Sequence, residues 1–303
     1  MQEITIGEII KCLRNEKGYS KIQLSQGLCS ITALSRYEED IRTPNFFLLE
    51  ALLQRLGIDI NQYELCISQN DFLLLKERSI IEKKISCFNL DEAKKEIKVY
   101  QKIVKCNKNI HYQFIYFILG QIKFLQKKYY DAFILLEQAL TYTKCQFLNK
   151  DLVLLTTLEL RSILYISEIY MIQGKLNIAQ ILFGKIVKYI KNNKILDRKI
   201  QEIYYDCLFS IAKINYNEDN YGVVLQCIDE LIEGYIEKSF LYNLKEIYIL
   251  KLLTEQKMGI LTEIKRKEYQ KKIFALSLTE KDFMEKINRI GDEAECQDII
   301  RHL

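Results

Sequence analysis

The sequence predicts an all-α protein. Three observations carry that prediction: one proline and eleven glycines in 303 residues, a 49 % apolar content without tryptophan, and apolar residues that recur at helical spacing. Proline and glycine are the usual breakers of regular structure, so their scarcity leaves helices joined by short polar turns and disfavours collagen-like, disordered and β-rich classes. The length suggests about two domains by the ~150-residue prior, although helical arrays grow without needing a new core.

Residues 1–66 read as five short helices in quick succession. Ile6, Ile9, Ile10 and Leu13 follow the i, i+3, i+4, i+7 spacing of one buried face, and Gly18 supplies a left-handed stop. Ser20 is an N-cap candidate for a helix with Ile22, Leu24 and Leu28 as apolar positions. Gly27-Leu28-Cys29-Ser30 turns the chain into a third helix, Ile31 to about Glu39, with Leu34 and Tyr37 one turn apart. Pro44 stands where a break must precede a helix from Asn45 to Leu56, built on Phe47, Leu48, Ala51 and Leu52. A last short helix follows Gly57-Ile58-Asp59. A second and third helix joined by a turn of three or four residues make the helix-turn-helix arrangement. The domain boundary is expected near Ser68-Gln69-Asn70, separating 1–66 from 67–303.

From Asp71 onward the pattern changes to long amphipathic helices in pairs. An aromatic residue or leucine followed three residues later by a small residue occurs at Leu90 and Ala93, Tyr129 and Ala132, Leu176 and Ala179, and Tyr221 and Val224, with separations of 39, 47 and 45 residues. The best copy runs from Leu119-Gly120 through Tyr129, Ala132, Leu136 and Ala139-Leu140; the next carries Tyr170, Gly174, Leu176, Ala179 and Phe183 at the same offsets. This pattern resembles the tetratricopeptide repeat, a helical pair of about 34 residues. It departs from it at Lys123, where an aromatic is expected, at Lys127, which replaces a glycine, and in spacings that exceed the standard length. A generic helical bundle is the competing reading. A fifth pair is expected over Phe240 to Lys257 and Glu263 to Leu276, followed by a capping helix from Lys281 to His302.

The first segment carries Ile6-Gly7 with Ile10 and Leu13-Arg14, then Lys17-Gly18-Tyr19-Ser20, Gln23-Leu24-Ser25, Leu34-Ser35-Arg36-Tyr37-Glu38, Pro44, and Leu52 to Leu56-Gly57-Ile58. At those offsets it resembles the XRE-type, lambda-repressor-like DNA-binding domain. The resemblance implies a recognition helix whose N-terminal half faces the bases in the major groove. That puts Ile31, Thr32, Ala33, Ser35 and Arg36 at or near the groove. Thr32 and Ser35 can hydrogen-bond base edges or phosphates, Ile31 or Ala33 can touch a thymine methyl, and Arg36 can pair with guanine or phosphate, or else with Glu38 or Glu39 of its own domain. Lys21 begins the second helix, where the family often has a phosphate-contacting glutamine. Arg14 and Lys17 are further phosphate candidates or ordinary solvated surface. Residues 1–66 hold seven basic and nine acidic side chains, net −2, and Glu38-Glu39-Asp40 stands where the family usually has a glycine after the first glutamate. Three acids beside the phosphate path imply weak binding by one head, which pairing two heads on a two-fold site would restore.

The repeat resemblance implies a right-handed superhelix whose concave face is lined by the first helix of each pair and suits an extended peptide. The repeat offsets put Phe117, Gln121 and Phe124, then Arg161, Tyr165, Glu168 and Met171, then Asp206, Lys213 and Asn217, and lastly Asn243 on that face. Gln121, Asn217 and Asn243 can donate to and accept from a peptide backbone, and Arg161 or Lys213 can hold a carboxylate. Phe117, Phe124 and Met171 also read as core.

An XRE-type head joined to tetratricopeptide-like repeats resembles the Rgg/PlcR/PrgX-type (RRNPP) regulators of Gram-positive bacteria over nearly the whole chain. The resemblance implies a cytoplasmic transcription regulator of the quorum-sensing kind. It would act as a homodimer on a two-fold operator in double-stranded DNA, with a repeat domain that binds a short signalling peptide. The alternative is a protein-binding adaptor, or a response-regulator-directed repeat protein, with a weak or lost DNA-binding head.

Other classes find little support. Nine scattered cysteines without a C-x-x-C pair, with only His111 and His302 beside them, predict neither a zinc site nor a disulfide framework. The first residues, MQEITIGEIIKCLRN, lack a secretory apolar stretch, so a reducing cytoplasm is expected. No run of ~18 uncharged apolar residues predicts a membrane span. No cluster of nucleophile, base and orienting group and no phosphate-cradling glycine loop is found, so neither an enzyme, a catalytic residue nor a cofactor is expected. The net charge of +4 is too small to announce a polyanion partner, and it divides into −2 for residues 1–66 and +6 for the rest.

Overall fold

The computed structural model describes residues 5–63, 67–105, 108–145, 147, 152–193, 195, 197–238 and 243–288. Among the described residues every regular element is helical, with fourteen α-helices and one 3-10 helix. The chain falls into two compact units, Met1–Tyr204 and Tyr205–Leu303.

The first unit begins with α1 (Ile6–Glu16), α2 (Lys21–Ser25), α3 (Ile31–Glu38) and α4 (Phe46–Arg55). Each start is a side-chain cap. Thr5 and Ser20 form reciprocal capping boxes with Glu8 and Gln23, and Ser30 and Asn45 accept from the backbone of Ala33 and Leu48. Such caps satisfy backbone N–H groups that the first helical turn leaves open. The stops are glycines in the left-handed region, Gly18 at φ +70° and Gly57 at φ +75°. The expected fifth helix is a single 3-10 turn, Ile60–Gln62, capped by Asp59. Ile10, Leu24, Leu34, Phe47, Leu52, Leu53 and Leu56 lose all solvent contact between these helices. Each such side chain contributes about 1.5–3 kcal/mol of transfer free energy, which is what holds so short a set of helices together.

Three helix pairs follow: α5 (Gln69–Ser86) with α6 (Leu90–Ile103), α7 (Lys108–Leu125) with α8 (Tyr129–Tyr142), and α9 (Thr157–Ile172) with α10 (Leu176–Asn193). The anchor residues Leu90, Tyr129 and Leu176 are each the first residue of the second helix of a pair. Ala93, Ala132 and Ala179, three residues on, are fully buried. A larger side chain there would hold the paired helices apart. Gly120 shows how near α7 and α8 come, since a Cβ on it would sit 2.8 Å from Leu136 Cγ. Lys127, where the repeat has a glycine, adopts φ +58°, as Gly174 does at +74° in the next pair. The expected excess length lies in the connection from Thr143 to Thr156 and in helices as long as the 18 residues of α10.

The second unit holds the end of α11 (Arg198–Asn217), α12 (Tyr221–Lys238), α13 (Leu244–Lys257) and α14 (Glu263–Asn288). Tyr221 again opens a helix and Val224 is fully buried. Tyr205 and Tyr235 pack at 5.2 Å between ring centroids, and Tyr269 donates to buried Glu255 at 2.9 Å. The start expected at Phe240 lies outside the described residues, and so does the expected capping helix beyond Asn288. Residues 281–288 continue α14 without a break, which corrects the expectation of a separate helix from Lys281.

Candidate nucleic-acid interface and repeat-face cluster

Helices α2 and α3 form the helix-turn-helix. Leu34 and Tyr37 turn inward, which leaves Ile31, Thr32 and Arg36 exposed and Ala33 and Ser35 half-buried on the other side of α3. Arg36 forms no ion pair among the described residues, so the alternative of a bridge to Glu38 or Glu39 is not realised. Glu38 has other partners. Arg14 Nε and Nη2 donate to its two oxygens at 2.6 and 2.9 Å, Lys21 Nζ stands 3.5 Å away, and the carboxylate is buried.

Two sequence expectations are corrected here. Arg14, 8 % exposed, also donates to the Tyr19 carbonyl at 2.9 Å, so it is a strut inside the head and not a phosphate contact. Nor do three acids line the phosphate path. Asp40, at φ +54°, accepts from the Gly7 N–H at 3.1 Å and from the Thr5 hydroxyl, holding the N-terminus of α1, so only Glu39 stands exposed without such a role. Lys21 also donates to Ser35 Oγ at 3.0 Å, tying two candidates together across α2 and α3. Lys17 is exposed at the C-cap of α1. Ile22, expected with Leu24 and Leu28 among the apolar positions of α2, is instead 63 % exposed, because two residues of helix turn it about 200° away from the buried Leu24.

In the repeats, five candidates of the first unit meet. Gln121 Nε2 donates to Tyr165 Oη at 2.9 Å, and the Tyr165 ring lies 6.0 Å from Phe117 and 5.0 Å from Phe124. Arg161 covers the Phe117 ring at 4.8 Å and reaches Glu82 at 4.0 Å. Phe117 is fully buried and forms the floor of this cluster, so of its two readings, core or ligand contact, it takes the core one. Glu168 and Met171 follow on α9, both half-buried. In the second unit, Lys213 Nζ sits 4.5 Å over the Phe209 ring, Asp206 is half-buried, Asn217 is exposed, and Asn243 precedes α13 at φ +57° without a side-chain cap bond.

A buried network that sequence reasoning missed joins α4 to α5, α6, α7 and α9. Arg78 lies between the rings of Phe47 and Phe114 at 4.2 and 4.3 Å and donates to Tyr100 Oη at 2.8 Å. Tyr100 in turn meets His111 Nδ1 at 2.6 Å. With Arg78 donating to the phenol, the phenolic proton goes to Nδ1 and the ring carries its own proton on Nε2. Burial, with Arg78 adding to it, pushes His111 down to about 3, so its ring is neutral near pH 7. Phe46 N–H donates to Asp71 at 3.4 Å, Thr157 N–H donates to Gln54 at 3.2 Å, and Arg55 pairs with Glu159 at 3.3 Å. In the sequence Glu159 is marked only as the N3 partner of Thr156 in a capping box, a local pattern that says nothing of Arg55.

Residues 10–62 match the helix-turn-helix family HTH_3. This helix-turn-helix segment spans α2, α3, α4 and the 3-10 turn. No curated protein matches the chain. Among solved structures, PlcR of Bacillus thuringiensis, in complex with the peptide PapR7 and DNA, is similar at a TM-score of 0.56 and 20 % identity, over 93 % of this chain and 98 % of that one. The apo form of the competence regulator ComR from Streptococcus vestibularis is similar at 0.46 and 16 %, over 98 % and 95 %. The likeness to PlcR, at that identity, is one of fold and extends from the helix-turn-helix head through the repeats. Among the described residues no helix is long and apolar enough to cross a membrane, and no three His, Cys, Asp or Glu residues are placed to hold a metal ion.

Proposed function

We propose that the chain is a DNA-binding transcription regulator whose helix-turn-helix head, residues 1–66, reads double-stranded DNA and whose repeats, residues 67–303, bind a short signalling peptide and dimerise. The observation that carries this reading is the outer face of α3, where Ile31, Thr32 and an unpaired Arg36 are exposed while the charges of Arg14 and Glu38 are neutralised inside. That is the geometry a recognition helix needs: side chains free for base edges, on a support with no unpaired charge beneath it. Lys17, Lys21 and Ser35 flank that face as phosphate contacts. The small electrostatic footprint, net −2 over residues 1–66, favours two heads acting together on a two-fold operator.

For the peptide, support comes from the cluster of Gln121, Phe124, Arg161 and Tyr165, in which amide, phenol and guanidinium groups stand beside aromatic rings. PlcR, similar in fold, is a protein seen with both a peptide and DNA. A cytoplasmic quorum-sensing regulator fits both features, and a peptide would act through its differential affinity for two arrangements of the heads.

The experiment is a binding titration with promoter DNA from the neighbouring gene across a salt series. Binding that weakens steeply with salt and is lost on Arg36→Ala with Ser35→Ala supports the reading. Equal binding by that double variant sinks the recognition-helix assignment, and no binding by the parent favours the adaptor. Calorimetric titration with short apolar peptides encoded beside the gene tests the repeat cluster. No heat well above micromolar concentration removes the peptide role.

A further inference from the structure

The head carries net −2 over residues 1–66, yet the turn of its helix-turn-helix is seated among lysines of the repeats. Two contacts inside the first unit bring them there. Asn109 Nδ2 donates to the Gly27 carbonyl at 3.5 Å, and the Thr143 backbone packs so closely that a Cβ on Gly27 would sit 2.7 Å from Thr143 Cα. Lys108, the first residue of α7, and Lys144, just past the end of α8, are the sequence neighbours of those contacts, and Lys105 lies shortly before α7. All three are exposed. Lys144 also shares a recess with Gln23 of α2 and its C-cap Gln26.

These charges lack a counterpart. No Asp or Glu lies between Glu96 and Asp131, a stretch with seven lysines, nor between Glu137 and Asp151. Other lysines of the same two helix pairs are neutralised: Lys84 pairs with Glu92, Lys94 with Asp91 at 2.7 Å and Lys123 with Asp131 at 2.9 Å. Lys105, Lys108 and Lys144 form no ion pair among the described residues, and the buried Glu159 that borders the recess is already held by Arg55. Unpaired like charges held on one edge repel one another, and a polyanion relieves that repulsion while releasing its own counterions.

The position selects duplex DNA as that polyanion. With a recognition helix in the major groove, the helix before it crosses the phosphate backbone. Gly27 is four residues from Ile31 of α3, a reach of at most about 14 Å, so the lysines beside Gly27 stand next to that crossing. We propose that Lys105, Lys108 and Lys144 form a second DNA contact, made by the repeats, on backbone phosphates next to those under α2. The proposal rests on the reading of the head as DNA-binding and goes beyond it by moving part of the electrostatic attraction from the acidic head to the repeats.

The test is binding of the full chain to a duplex of arbitrary sequence across a salt series. Changing Lys105, Lys108 and Lys144 together to Gln should lower the slope of log affinity against log salt by about 2–3, at ~0.9 per phosphate, and weaken binding at least about tenfold near 0.1 M salt. A second triple, Lys257→Gln, Lys267→Gln and Lys271→Gln, removes the same charge from exposed positions of the second unit and should leave the slope nearly unchanged. Both triples should keep the parent Tm, since every changed side chain is exposed. A slope unchanged in the first triple, or lowered as much in the second, overturns the proposal and leaves the reading of the head standing. A lowered slope in the first triple beside equal binding by Arg36→Ala with Ser35→Ala removes the recognition-helix assignment and upholds the repeat contact. No salt-dependent binding of any duplex by the parent overturns both.

Discussion

Arg55 at the end of α4 and Glu159 in the first turn of α9 are 104 residues apart in sequence, yet form an ion pair at 3.3 Å with both side chains at least 95 % buried. Arg55 also holds two carbonyls of the helix-turn-helix, so one guanidinium ties the turn, α4 and α9 together. Removing one member of a buried pair leaves an uncompensated charge and typically costs about 3–5 kcal/mol. Glu159→Leu and Arg55→Met should each destabilise by that order in urea unfolding, and the double variant should lose less than the sum of the two. Additive losses in that cycle would mean that the pair is not coupled.

His111 predicts a pH dependence. Its ring titrates near 6.5 in an unfolded chain and about 3 in the fold, so the unfolded state takes up a proton that the folded state refuses. The stability that the neutral ring permits is complete above pH 6.5 and falls as the pH drops from 6.5 toward 3, by about 1.4 kcal/mol per unit. Relative to His111→Phe, which keeps a ring against Phe47, the parent should lose about 2 kcal/mol more between pH 6.5 and 5. Parallel curves for the two proteins would show that His111 is not held neutral.

Two glycines with positive φ separate backbone strain from steric exclusion. Gly18 and Gly27 sit at φ +70° and +72°, but nothing lies within 4 Å of a Cβ on Gly18, whereas one on Gly27 would run into the Thr143 carbonyl. Gly18→Ala should therefore cost only the left-handed penalty, roughly 1–2 kcal/mol. Gly27→Ala should cost clearly more and loosen the contact with the C-terminal end of α8, read as faster hydrogen exchange in α2. Equal losses would place the head further from Thr143 in solution.

The two arginines of the head should part company. Arg36→Ala removes an exposed, unpaired side chain, so stability should stay within about 0.5 kcal/mol of the parent, while the salt dependence of DNA binding loses about one phosphate or base contact. Arg14→Met leaves the buried Glu38 carboxylate with only Lys21, at 3.5 Å, and should lower the Tm at neutral pH, with DNA affinity falling only as the folded fraction does. A thermally neutral Arg14→Met would show that Arg14 is not what neutralises Glu38.

Local rules reached a long way into this protein. The cap at Ser20 and the stop at Gly18 fall where the sequence puts them, Asn45, read as the first residue of its helix, is that helix's cap, and the four repeat anchors each turn out to open a helix; all of these depend on residues within a turn of one another. Repeat offsets also put Gln121 and Tyr165 on one face, because an angle around a helix is set by residue number alone. They did not separate the buried Phe117 from its half-buried neighbours, since burial depends on what crosses the helix.

The helical class, the helix-turn-helix order and the paired repeats were thus determined by the sequence by itself, through periodicity and capping that operate over a few residues. Only the tertiary structure decided which charges are free. Arg14 and Arg36 look alike in sequence, yet one is locked onto Glu38 and the other is open to solvent. The contacts of α4 with Asp71, Arg78, His111 and Glu159 likewise join residues from helices remote in sequence. The physical reason is range: a cap or a hydrophobic stripe is specified within one turn, whereas desolvation of a charge and the partner that neutralises it depend on the whole packed core.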